Sequence, residues 1–125
     1  MTGHTVRRIA GTSEDIMVVA LDGEVDVSNA RAVGDELIAA VPHNAVGLVV
    51  DLRLLRYIDS SGVSMLFELV RRLELVRRQL GLFVPTESPV RKLIEVTGID
   101  AVAVVSESVD DCLDTIREKA ADGLG

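Results

Sequence analysis

The sequence predicts a single α/β domain with a largely parallel sheet and a mixed edge, and three observations carry that prediction. After an initial pair of strands, strand-like and helix-like stretches alternate in the order β-β-α-β-α-β-α-β-α. The run "AVGLVVDL" (45–52) is almost wholly apolar over one strand's length, the pattern of a strand covered on both faces. Between the strands, apolar residues recur at helical spacing, giving about four helices. The 125 residues fit one domain, 1–125, with an ordered core over about 5–118 and a tail, 119–125, expected to fray.

Taken in order, "TVRRIA" (5–10) reads as a short edge strand, and Gly11 to Asp15 as a polar turn. Ile16 to Leu21 form a β-branched strand that Gly23 punctuates. Ala30, Val33, Leu37 and Val41 mark the first helix, with Asp26 or Ser28 as its cap and Pro42 as its stop. "RLLRYID" (53–59) reads as a link from the buried run to the second helix. That helix is expected over Ser61 to Leu80, with Val63, Leu66, Val70, Leu73 and Val76 inward. Glu68 is spaced to pair with Arg71 and Arg72, and Glu74 with Arg77 and Arg78. Gly81 is expected to stop it, and "LFV" to be the next strand. Ser88 reads as an N-cap with Pro89 at the first helical position, and Gly98 as the C-terminal stop. "AVAVVS" (101–106) is the last strand, and "SVDDCLDTIREKA" (108–120) the last helix, with Val109, Cys112, Leu113 and Ile116 inward.

Composition excludes several function classes. Tyr57, Phe67 and Phe83 are the only aromatic residues, so the core must be aliphatic. Thirteen basic and twenty acidic residues give a net charge of −7, which argues against a nucleic-acid or anionic-membrane surface. Cys112 is the lone cysteine, so no internal disulfide or thiolate cluster is possible; it reads as core filler. His4 and His43 sit in polar, loop-like sequence, which makes a histidine metal site unexpected. No metal and no cofactor is expected. "MTGHTVRRIAGTSED" lacks the apolar core of a signal peptide, and no run approaches the length of a membrane span; a cytoplasmic protein is expected. No nucleophile-elbow, dinucleotide or phosphate-loop motif occurs, and the paired carboxylates of "DGEVD" and "VDD" read as solvated loops and helix starts. No catalytic residue is therefore assigned, and the protein is not expected to be an enzyme.

The stretch "RYIDSSGVSMLF" (56–67) places a carboxylate and two hydroxyls where a buried strand gives way to a helix. Asp59 or Ser60 can cap that helix. A hydroxyl at an exposed helix N-terminus can equally accept a phosphate, because free N–H groups and the helix dipole favour an anion there. Such a phosphate adds roughly −1.5 to −2 charges and can break an interface without unfolding the domain. Sequence physics alone leaves both readings open.

The string "VGLVVDLRLLRYIDSSGVSMLFELVRRL" (46–73) resembles the signature segment of bacterial anti-sigma factor antagonists of the STAS domain superfamily. Its centre runs from Asp51 to Ile58-Asp59-Ser60-Ser61-Gly62. "LDGEVDVSNA" (21–30) is similar to that family's L-x-G-E-L-D element, and "SPVRKLIEVTGID" (88–100) to its third-helix segment. The resemblance covers nearly the whole chain. It implies a STAS-like domain whose helices pack mainly on one side of a mixed, mostly parallel sheet. It also implies partner switching. The unphosphorylated antagonist binds an anti-sigma factor that is also a serine kinase of the histidine-kinase-like ATPase fold, and a sigma factor is released. Phosphorylation by that kinase undoes the complex, and a PP2C-type phosphatase resets it. The acceptor maps to Ser60, with Ser61 as its rival, and the partner surface to Asp26, Asp59, Ser60, Ser61, Gly62 and Ser64. Where the family often has a second glycine, this chain has Ser64. The free protein is expected to be a monomer. Other roles within the superfamily are a stressosome-type scaffold subunit, the STAS subunit of a lipid-transport ATP-binding cassette complex, and the cytoplasmic tail of an anion transporter.

Overall fold

Apolar side chains run almost without a break along the central strands, so the sheet must be covered on both faces. The computed structural model describes residues 3–9 and 15–124. Among these residues it contains six strands and four α-helices: β1 (His4–Arg8), β2 (Ile16–Val25), α1 (Ala30–Ala39), β3 (Gly47–Asp51), β4 (Leu55–Ile58), α2 (Ser60–Glu74), β5 (Gln79–Phe83), α3 (Arg91–Val96), β6 (Val104–Ser106) and α4 (Val109–Leu124). A short 3-10 turn, Ile99–Ala101, precedes β6. The strand order is β1-β2-β3-β5-β6, with β4 paired to β2 off that path. Only β1 runs antiparallel; every other pairing is parallel.

Val19 and Leu21 of β2, Leu48 and Val50 of β3, and Leu80 and Leu82 of β5 point to one face. There they meet Val33 and Leu37 of α1, Leu66, Leu69 and Leu73 of α2, and Ile94 of α3. The intervening positions, Ile16, Val18 and Val49, form a smaller cluster with Cys112, Leu113 and Ile116 of α4. Three helices thus lie on one side of the sheet and α4 on the other. The seat for α4 is made by glycines. A Cβ at Gly47 would lie 2.8 Å from Ile116 Cγ2, and one at Gly81 would lie 3.0 Å from Ile116 Cδ1. Cys112 is buried there as filler, and burial pushes its thiol pKa up.

Several boundaries differ from the sequence expectations. Gly23 does not end β2: at φ +108 it carries the strand through a bulge to Val25, so that Glu24 and Val25 pair with β4. "RLLRYID" is not a mere link, since Leu55–Ile58 form β4. The helix α2 ends at Glu74, not near Leu80, and Gly81 lies buried within β5. The stop is a Schellman-type closure. The Arg77 N–H donates to Glu74 O at 2.9 Å, the Arg78 N–H donates to Leu73 O at 2.8 Å, and Arg77 adopts a left-handed φ of 59°. Val76, expected inward, is 56 % exposed. Glu68 pairs with Arg71 as expected, but Arg78 turns away from Glu74 to donate to His43 O. Ser88 caps a turn, its Oγ accepting from Val90 N at 3.2 Å, and α3 starts only at Arg91. Gly98 is left-handed, as its role as a stop requires. His4 lies in a strand, not a loop. The last helix reaches Leu124, beyond the expected end of the ordered core at about residue 118. The expected turn at Gly11 to Asp15 lies outside the described residues up to its last member.

Two stability measurements check this packing. Ile116→Ala empties the glycine-lined seat and lowers the unfolding free energy by about 2–5 kcal/mol in urea titration. Arg77→Gly removes the left-handed strain of a side-chain-bearing residue and raises it by about 0.5–1 kcal/mol.

Candidate functional site

Two parallel strands end side by side, and that ending builds the site. Val25 of β2 is in register with Ile58 of β4, and the Asp59 N–H donates to Val25 O at 3.2 Å. The loops leaving the two strands therefore emerge at the same end of the sheet: Asp26 to Asn29 after β2, and Asp59 to Gly62 after β4. The turn that delivers β4 is fixed by Asp51, a buried carboxylate whose Oδ1 accepts from Arg53 N at 2.9 Å.

At the start of α2 the cap is Asp59. Its Oδ1 accepts from Ser61 N at 2.9 Å and from Gly62 N at 3.1 Å. This divides the two roles that the sequence left open. Asp59 takes the amides, while Ser60 is exposed and its hydroxyl has no hydrogen-bond partner among the described residues. Ser61 is half-buried, and Ser64 is exposed one turn on from Ser60, on the same helix face. Gly62 is there for space. A Cβ on it would lie 2.4 Å from Ile58 Cγ1 and 3.0 Å from Val25 Cγ1. The first turn of α2 therefore presses directly onto both strand ends.

The neighbouring loop is held as firmly. Asp26 Oδ1 accepts from Ser28 N at 2.8 Å and from Ser28 Oγ at 2.5 Å, and Asp26 O accepts from Ala30 N at 2.9 Å. Asp26 therefore closes the turn that leads into α1, in place of a side-chain cap. The buried Asn29 ties the loop to β2: its Oδ1 accepts from Asp26 N, and its Nδ2 donates to Glu24 O, both at 2.9 Å. Val27 stands 80 % exposed at the loop's tip, and Tyr57 of β4 is 51 % exposed. The structure brings Asp26, Asp59, Ser60, Ser61 and Gly62 to one end of the sheet, with Ser64 one helical turn further. Sequence reasoning missed Asn29 and Val27. An Asn directly before a helix is itself a cap signal, but Asp26 and Ser28 satisfied that expectation first.

Beside this surface, α1 and α2 flank a cleft of about 270 Å³ lined by Arg31, Gly34, Asp35, Met65, Glu68, Leu69 and Arg72. Its charges are largely matched: Arg72 meets Asp35 at 3.4 Å and Arg71 meets Glu68 at 2.9 Å. The Arg71 hydrogen bond holds the Glu68 carboxyl below the usual range. Among the described residues no group of three or more His, Cys, Asp or Glu could hold a metal ion, and no helix is long and apolar enough to cross a membrane. The arrangement offers an exposed hydroxyl next in the chain to the fixed Asp59 carboxylate, with the Asp26 loop leaving the same end of the sheet and a few apolar side chains exposed. That suits recognition by a partner and modification from outside.

Residues 10–106 match the family model described as Mlab, STAS domain. No curated protein matches the chain. An anti-sigma factor antagonist from Mycobacterium paratuberculosis has a similar structure, with TM-score 0.74 and 24% identity over 90% of this chain and 95% of that one. The anti-sigma factor antagonist SpoIIAA in its unphosphorylated form gives 0.67 and 20% identity over 93% and 97%. A sulfate transporter family protein from Wolinella succinogenes gives 0.68 and 16% over 87% and 90%. At these identities the likenesses carry the fold.

Asp59→Ala, which removes the cap, should cost about 1 kcal/mol of stability, and Ser60→Ala close to none. Gly62→Ala, which forces a methyl into Ile58 and Val25, should cost about 1–3 kcal/mol. Thermal unfolding of the three variants side by side checks the assignment; equal losses for Asp59→Ala and Ser60→Ala would contradict it.

Proposed function

The chain belongs to the STAS domain family, and on that premise we propose that it is an anti-sigma factor antagonist switched by phosphorylation of Ser60. In this reading the unphosphorylated protein binds an anti-sigma factor with serine kinase activity through Asp26, Asp59, Ser60, Ser61, Gly62 and Ser64, and so frees a sigma factor. It is a binding module and performs no chemistry of its own. The observation that carries the reading is the division of labour at α2: Asp59 caps the helix, and the exposed Ser60 hydroxyl is left without a partner among the described residues. Ser61 is the poorer acceptor, being half-buried with its amide already engaged.

The same geometry supports the off-switch. The amides of Ser61 and Gly62 that would welcome an anion are already taken by Asp59. A phosphate on Ser60 adds its charge beside that carboxylate and points outward. At a docked interface it meets lost solvation and like-charge repulsion. A hundredfold loss of affinity requires only about 2.8 kcal/mol. A PP2C-type phosphatase would restore binding. The likeness to a sulfate transporter family protein favours a second reading, a regulatory module acting on a membrane transporter. That role needs no acceptor at Ser60.

Intact-mass spectrometry decides between them. The protein is incubated with ATP and each histidine-kinase-like anti-sigma candidate from the same genome. A gain of one phosphate, lost in Ser60→Ala, is expected with one candidate. Ser60→Asp should bind that candidate more weakly in calorimetry, and Ser60→Ala should bind it constitutively. Binding without any phosphate gain would remove the switch and leave a phosphorylation-independent antagonist. Neither binding nor gain would favour the transporter reading.

A further inference from the structure

One side-chain amide ties the loop that carries Asp26 and Val27 to β2, and that amide reaches a histidine on the edge strand. Asn29 Oδ1 accepts from Asp26 N, and Nδ2 donates to Glu24 O, so backbone groups fix which end of the amide faces which way. The same Nδ2 lies 3.3 Å from His4 Nδ1, and His4 Nε2 lies 3.1 Å from both carboxylate oxygens of Glu36 on α1. Both contacts are satisfied by one tautomer: Nε2–H donates to Glu36, and Nδ1 accepts from Asn29. We propose that Asn29 is the positioning residue of the partner-binding loop, and that the protonation state of His4 decides whether its amide can hold that loop. The proposal rests on the reading of this surface as the partner-binding one.

A second proton on His4 turns its Nδ1 from acceptor into donor, and two donors then face each other. Turning the Asn29 amide over relieves that contact. It also points the NH2 group at the Asp26 N–H and takes the donor away from Glu24 O. Either way, bonds that hold residues 26–29 are lost, in a group that is buried and cannot replace them with water. Neutral His4 therefore keeps the loop ordered, and imidazolium loosens it. The charged groups that face His4 are Glu36 from α1 together with Asp22 and Glu24 of β2 and Arg56 of β4, which line a shallow cleft with it. Asp22 is partly neutralised by Arg56 at 3.7 Å.

The test uses the free protein first. In NMR spectra taken across the imidazole range, about pH 5–8, the Asp26 and Ser28 amides should follow the His4 titration. The response should vanish in His4→Ala. Asn29→Asp should invert it, because a carboxylate accepts from both the Asp26 N–H and the imidazolium, so acid then tightens the loop. A merely structural role for Asn29 predicts no inversion. Asn29→Ala should also weaken binding of the anti-sigma partner about tenfold while unphosphorylated Ser60 is intact. Asp26 amides indifferent to His4, or an unchanged sign in Asn29→Asp, would overturn the proposal, as would a loosened loop that leaves partner affinity untouched. Failure of Ser60 to accept phosphate counts against the proposed function alone, since the loop readout needs no partner.

Discussion

The site depends on one close approach. The first turn of α2 lies against the ends of β2 and β4 with no room for even a methyl group at Gly62. That contact fixes the height at which the helix begins. It sets the Asp59 carboxylate within reach of the Ser61 and Gly62 amides, and it turns the Ser60 side chain outward. A larger residue at 62 would lift the helix start away from the strands, and cap, acceptor and neighbouring loop would lose their common frame. Gly62 is thus not a flexible joint; its backbone needs no left-handed conformation, and its value is absence of volume.

Much of the fold was legible because apolar spacing reports burial directly. Of the expected α2 stripe, Leu66, Val70 and Leu73 lie in the core, while Val63 is half-buried and Val76 exposed; the run from Leu48 to Leu52 and the residues Cys112, Leu113 and Ile116 are buried as expected. The failures have local causes. β4 alternates poorly, with Arg56 and Tyr57 adjacent and both exposed, so no strand period shows. α2 stops through backbone bonds closed around Arg77, at a position where glycine is the usual signal, and the glycine that is present belongs to a strand. Gly23 misleads in the opposite way, since its positive φ bends β2 without ending it. In the site, the order Asp-Ser-Ser-Gly was enough to find the helix start. Which residue caps it was not readable, because Asp and Ser serve equally well at an N-cap and only the resulting geometry separates them. Asn29 was out of reach for another reason: its three partners, at positions 4, 24 and 26, come together only when β1 pairs with β2.

The electrostatics of the surface differ from the chain's average. On the helices several carboxylates are matched by arginines, as in the pairs Glu68–Arg71, Asp35–Arg72 and Glu95–Arg91. At the start of α2 the Asp59 carboxylate is instead committed to two backbone amides, which hold it in place and leave its charge intact. A partner that meets this end gains by bringing positive groups of its own, and it will sense any further negative charge placed there.

The glycine-seated helix α4 has a geometrical consequence. Its first residues come after β6, near the end of the sheet that holds Ser60, and Arg117, further along, reaches Asp15 at the start of β2. The helix therefore runs back along the far face and delivers the chain to the opposite pole. Anything joined after it, whether a fluorophore, a surface tether or another protein, projects away from Ser60. The domain can be held by that end like a probe on a handle, with its recognition surface facing out.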